Sequence, residues 1–135
     1  MNAYESGSYG VGNVVLASVF NPLENLNSRG KVRPVVLVEQ DGGHWRVAGL
    51  TTKPRRQNGE PRVAIPNPLA VGLGGPGYLW GNRLHNVSKI DLDRTIGHAD
   101  AALARLVADT HVMGQATRTQ VLLACGVALP RTEAC

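Results

Sequence analysis

The stretch Lys31 to Lys53, KVRPVVLVEQDGGHWRVAGLTTK, restricts the fold more than any other part of the chain. Val35, Val36, Leu37 and Val38 form an unbroken aliphatic and mostly β-branched run, which suits a strand buried on both faces. Trp45, Val47 and Gly49 alternate against Arg46 and Ala48 with the period of a second strand. Between them stands Asp41-Gly42-Gly43. Aspartate opens tight turns and glycine accepts positive φ, so a short hairpin loop closes there without strain. Pairing then brings the start of one strand beside the end of the next, and Arg33 comes near Thr51 and Thr52. A cation and two hydroxyls meet at one end of the hairpin, and function is to be sought there.

The remaining segments read as further short strands followed by helices. Val11 to Phe20 is a strand, and Asn21 to Gly30, NPLENLNSRG, carries the proline, asparagine, serine and glycine of a loop. Pro54 to Glu60, PRRQNGE, is a second polar loop, and Arg62 to Ile65 a short strand bounded by prolines. Asn67 to Gly77 is rich in glycine and proline and predicts an irregular or mobile connection. Tyr78 to Leu84 and Asn86 to Ile90 supply further strands. Short strands separated by turn signals indicate a small closed or half-closed barrel. Ala99 to Val112 is helical, with Ala99, Ala102, Leu103, Leu106, Val107 and Thr110 on one stripe and Gly114 as its stop. Gln115 to Ala124 makes a second helix. The fold class is therefore mainly β with C-terminal helix, α+β. Residues 1–8 form a loose lead-in, 9–112 the barrel and its helix, and 113–135 a helical extension.

At 135 residues the chain can bury one core without covalent staples. No apolar run approaches the ~20 residues needed to span a bilayer, and MNAYESGSYG lacks the basic-then-hydrophobic pattern of a signal peptide. A cytoplasmic protein is expected. Cys125 and Cys135 match neither a zinc site nor a redox C-x-x-C and read as reduced and incidental. His44, His85, His98 and His111 show no metal-ligand spacing, so neither a metal nor another cofactor is implied. The net charge of +4 matters through its distribution. Arg29, Lys31 and Arg33 precede the first hairpin strand, while Lys53, Arg55, Arg56 and Arg62 follow the second. Both clusters map to the same end of the hairpin, an arrangement that suits a polyanion.

Five pieces recur in a recognisable order between Tyr9 and Asp109: Gly12-Asn13-Val14-Val15-Leu16, Lys31-Val32-Arg33-Pro34, Val47-Ala48-Gly49-Leu50-Thr51-Thr52, Val87-Ser88-Lys89-Ile90-Asp91 and Ile96-Gly97. In this order the chain resembles the MazF/PemK/Kid family of toxin endoribonucleases. The resemblance implies a small SH3-like barrel, a homodimer, and metal-independent cleavage of single-stranded RNA to a 2′,3′-cyclic phosphate and a 5′-hydroxyl. It also implies an acidic, largely disordered antitoxin that covers the basic groove. The chain departs from the family at Asn13, where an aspartate is usual. It departs again before Arg33-Pro34, where Glu24, Asn25, Asn27 and Ser28 stand in place of a histidine or glutamate at the expected spot. His85 stands where the family has a carboxylate, and Arg83 where Kid-like members have an arginine.

RNA cleavage of this kind needs a base for the 2′-hydroxyl, a cation for the phosphorane and an acid for the leaving 5′-oxygen. Arg33 suits the phosphate, because guanidinium is a rigid bidentate fork that stays charged. Thr51 can hydrogen-bond a phosphate oxygen or the attacking hydroxyl; one of Thr51 and Thr52 faces the groove, and the resemblance favours Thr51. Arg83 and His85 are expected on one strand face, with His85 as base or acid. Asn27, Lys31, Thr52, Lys53, Arg55, Arg56 and Arg62 are the expected RNA contacts. Two other readings remain open: a related barrel that binds nucleic acid without cutting it, and a protein-directed inhibitor with the fold of the CcdB-like gyrase poisons.

Overall fold

The computed structural model describes residues 9–19, 31–54 and 62–128. Its centre is the expected hairpin, with β2 at Lys31–Asp41 and β3 at His44–Thr51. Asp41 pairs with His44 across a turn made only of Gly42 and Gly43, and Gly42 takes a φ of 61°. β1 (Asn13–Val19) pairs antiparallel with the other edge of β2, and β6 (Leu92–His98) pairs with β1. The free edge of β3 is shared by β4 (Tyr78–Leu79), against Leu50 and Thr51, and β5 (His85–Ser88), against His44 to Val47. Two helices follow, α1 (Ala101–Thr110) and α2 (Gln115–Ala124).

Val35, Val36, Leu37 and Val38 have no exposed surface, so β2 is buried on both faces as its sequence predicts. Alternation along the strand then divides the interior in two. Val36 and Val38 join Val14, Ala48 and Leu50 in a core closed by Leu103, Ala104 and Val107 of α1 and Val121 and Leu122 of α2. Val35 and Leu37 join Val15, Ala17, Trp45, Val47, Trp80, Val87 and Leu92 in a second core on the opposite face. Val87 lies on β5 and Leu92 on β6, at the two margins of the sheet, yet they share this core. The sheet must therefore curl around it, which makes a half-closed barrel. Among the described residues no strand pairing joins β6 to β4 or β5.

Helix ends show why the elements stop where they do. The Asp100 carboxylate accepts the Leu103 N–H at 2.9 Å and caps α1 at its start. The helix ends at His111, and Gly114, expected as its stop, is instead the N-cap of α2. On α2, Arg118 pairs with Asp109 at 2.9 Å, and the Thr117 hydroxyl donates to Glu39 at 3.2 Å. Glu39 also meets Arg46 across the hairpin at 3.3 Å, so α2 is tied to β2 as well as to α1.

Three sequence expectations change. β6 is a strand that its sequence, LDRTIGH, conceals, because six of its seven residues are exposed or partly so and no apolar alternation survives at the sheet margin. The strand expected over Arg62 to Ile65 shrinks to one pairing of Ala64 with Tyr78. The strand expected over Tyr78 to Leu84 ends at Leu79; Trp80 still donates its N–H to Gly49 O, and residues 81–84 bend away. The glycine-rich connection is irregular but docked, with a 3-10 turn at Leu69–Val71. The 1–8 lead-in, the whole 21–30 loop and residues 55–60 of the 54–60 loop lie outside the described residues, as does Cys135. No described helix is long and apolar enough to cross a membrane.

Docking of the glycine-rich connection depends on two facing glycines. A Cβ on Gly97 would lie 2.1 Å from Val71 O, and one on Gly72 would lie 2.2 Å from Ile96 O. Gly97→Ala should therefore lower unfolding free energy by about 1–3 kcal/mol in urea titrations, the usual cost of forcing atoms into a packed site. Gly43→Ala, which meets nothing within 4 Å, should stay within about 0.5 kcal/mol of the parent. Equal stability of the two variants would contradict this packing.

Candidate active site

Side-chain alternation decides which residues can converge. Arg33 shares a face of β2 with Val35 and Leu37, and Thr51 shares a face of β3 with Gly49, Val47 and Trp45. Val35 pairs with Gly49, and the same register carried two residues further sets position 33 opposite position 51. β5 adds His85 opposite Val47 and Val87 opposite Trp45, again on that face. Arg33, Thr51 and His85 thus come together at the rim of the second core.

Trp80 occupies the space among them. The Arg33 guanidinium carbon lies 4.4 Å from the centroid of the Trp80 ring, and the His85 ring stacks on Trp80 at 4.7 Å with 21° between planes. Room for the indole exists because position 49 has no side chain; a Cβ there would lie 2.5 Å from Trp80 Cε3. Tryptophan presents a negative π face, so it holds a guanidinium that is otherwise withdrawn from water. Arg33 is only 9% exposed and Thr51 only 5%.

Protonation and hydrogen bonding follow from this burial. The Thr51 hydroxyl accepts the Lys53 N–H at 3.3 Å, which leaves its own proton to donate. Burial pushes His85 below the usual histidine range, and the Arg33 charge pushes it further the same way. His85 is therefore a neutral imidazole at neutral pH. His111, buried at the end of α1, is also pushed down, chiefly by burial and in smaller part by His85, against the opposing pull of the Val107 carbonyl. The next residue, Val112, donates its N–H to Asn82 O at 3.0 Å and pins the bend that leads into His85. A fixed cation, a hydroxyl donor and a neutral proton acceptor on one face can polarise a phosphodiester and deprotonate a neighbouring hydroxyl.

The other expected site residues are placed differently. Arg83 lies in the bend before β5 and is exposed, so the shared-strand-face argument that joined it to His85 does not hold. Thr52 and Lys53 are exposed just beyond β3. Arg62 donates to Lys53 O at 3.3 Å and draws the returning chain against the strand end. Lys31 opens β2 opposite Val19. Asn27, Arg55 and Arg56 lie outside the described residues. The alternate positions Leu16, Pro34 and Leu50, with Leu73, Ile96 and both threonines, line an apolar cleft of about 210 Å³ beside the strand ends. Among the described residues no three His, Cys, Asp or Glu side chains gather. Sequence reasoning passed over Trp80 and His111. The usable signal for Trp80 was Gly49, a side-chain gap amid a strand of large residues; His111 carried none.

No family model matches the chain, and no curated protein matches it in sequence. Among solved structures it is similar to the Mycobacterium tuberculosis toxin MazF-mt6, with 21% identity and a TM-score of 0.50 over 73% of this chain and 94% of that one. The fold is therefore MazF-like: a curled antiparallel sheet backed by C-terminal helices, as the sequence resemblance implies.

A buried histidine, His111, and a partly buried one, His85, whose pKa values fall on folding make the protein acid-sensitive. The unfolded chain binds their protons at about pH 6.5 while the folded chain binds them only at lower pH, so protons favour unfolding in the window between. Stability from this source is complete above about pH 6.5 and is lost as pH falls below it, by at most about 1.4 kcal/mol per pH unit for each histidine. Urea midpoints measured at pH values from about 7.5 down to 5 should decline, and His111→Gln should flatten the decline. A midpoint that is level across this range would contradict the burial described.

Proposed function

We propose that this protein is a metal-independent endoribonuclease that cleaves single-stranded RNA, acting as the toxin of a toxin-antitoxin pair. The observation that carries the reading is the convergence of Arg33, Thr51 and His85 on one face of a MazF-like fold. A homodimer, an acidic antitoxin partner and a cytoplasmic setting belong to the same reading and rest on the family resemblance.

In the reaction, neutral His85 takes the proton of the 2′-hydroxyl, whose oxygen attacks the adjacent phosphorus. The bond from phosphorus to the 5′-oxygen breaks, and the products are a 2′,3′-cyclic phosphate and a 5′-hydroxyl. Arg33 stabilises the charge on the phosphorane, and the Thr51 proton bonds one of its oxygens. The leaving oxygen takes its proton from the imidazolium formed at His85 or from water. Lys53, with Lys31, Arg55, Arg56 and Arg62, supplies attraction for the backbone, while Asn27 and Thr52 add hydrogen bonds. The substitution of histidine for the family carboxylate moves the working pH rather than the chemistry.

The test is incubation of mixed-sequence RNA and the matching DNA with the purified protein in EDTA. RNA should be cut to cyclic-phosphate ends and DNA, which lacks the 2′-hydroxyl, should survive. Cleavage of DNA or an absolute metal requirement would overturn the mechanism, and binding without cleavage would make the protein a nucleic-acid-binding relative. Arg33→Ala should lower cleavage by roughly 10²- to 10³-fold, with partial recovery by lysine. The rate should be level above about pH 6.5 and fall on acidification as His85 protonates, and His85→Gln should remove that fall.

A further inference from the structure

Trp80 directly follows β4 and is only 3% exposed. Its backbone N–H is fixed to Gly49 O at 2.8 Å, and its ring fills the gap over Gly49. The residue therefore has one position. From that position it touches two of the three groups on the site face, a cation from β2 and an imidazole from β5, which belong to strands that do not pair with each other.

We infer that Trp80 is a positioning residue for the proposed cleavage: its indole is the common seat of the Arg33 guanidinium and the His85 imidazole and sets the separation of cation and base. The inference rests on the endoribonuclease reading for its reaction and on geometry alone for its placement. β3 lies between β2 and β5, with position 51 opposite Arg33 and Val47 opposite His85, so a side-chain link between the two groups has to cross that strand. Trp80 supplies this link. It also covers one face of His85, which otherwise meets the charge of Arg33 from β2, lies within electrostatic reach of His111 from the end of α1, and follows Arg83 in the exposed bend. Removing the indole should admit water to His85 and remove the cation–π contact of Arg33 together.

The experiment is a proton-carbon NMR titration of the histidine rings in the parent, Trp80→Phe and Trp80→Leu, without RNA, followed by single-turnover cleavage with the same proteins. In the parent, the His85 ring protons should be displaced upfield by the stacked indole and titrate below about pH 6.5. Leucine should abolish the displacement and move the midpoint up, while phenylalanine should keep part of both. In cleavage, the acid limb of the rate should follow the NMR midpoint, and the leucine variant should lose roughly 10- to 100-fold in kcat with a smaller change in KM. A parent His85 without upfield displacement overturns the inference even if neither variant folds. So does a leucine variant whose His85 midpoint or kcat matches the parent. Because the titration uses no RNA, a protein that shows the ring displacement yet cuts nothing keeps the seat and loses the reaction, which separates the two failures.

Discussion

Everything in this molecule depends on a four-residue stretch of one strand with no wet side. Val35 to Val38 of β2 are wholly buried, and a strand can be buried on both faces only when something covers each of them. Helices α1 and α2 cover one. On the other the sheet must cover itself by curling, because no third layer exists among the described residues. Each valine or leucine of the run contributes roughly 1.5–3 kcal/mol on burial, so the run as a whole strongly favours the curled sheet over a flat one.

The same curl creates the site. At the middle of β2 the second core is closed by Trp45, Val47 and Val87, but towards Arg33 apolar residues run out and the core ends in polar ones. Arg33 and Thr51 stand at that margin nearly buried, where a charge interacts more strongly than in water and a counter-anion is most welcome. The π face of Trp80 is one of the neighbours that hold the guanidinium there. Burial that costs stability at His85 and His111 also keeps both imidazoles neutral, the state in which His85 can accept a proton.

How much of this could be read from residues alone follows from the range of the interactions. The hairpin was legible because Asp41-Gly42-Gly43 and the valine run are local signals, and the opposition of Arg33 and Thr51 follows from them by counting. The second helix was legible to the residue, and the half-closed barrel followed from strand lengths. β6 was not, since a margin strand with Asp93, Arg94 and Thr95 in solvent carries no period of two. The strand-face argument for Arg83 failed because alternation was extended through a bend; position 83 lies outside β5, and parity has no meaning there. Trp80 and His111 enter the site through the meeting of β4, α1 and the bend at 81–84, contacts between segments far apart in sequence that no local pattern announces.

The central claim is that one sheet face, at the Arg33 end of the hairpin, receives a phosphate in its five-coordinate state. Histidine NMR with uridine 2′,3′-cyclic vanadate, a stable mimic of that state which needs no cleavage sequence, tests it most directly. His85 and the Trp80 indole should shift together on addition of the mimic, and Arg33→Ala should abolish the response. His44, exposed at the turn roughly 20 Å away along β3, should not move. Shifts confined to His44 or His98, or a response that survives Arg33→Ala undiminished, would contradict the account.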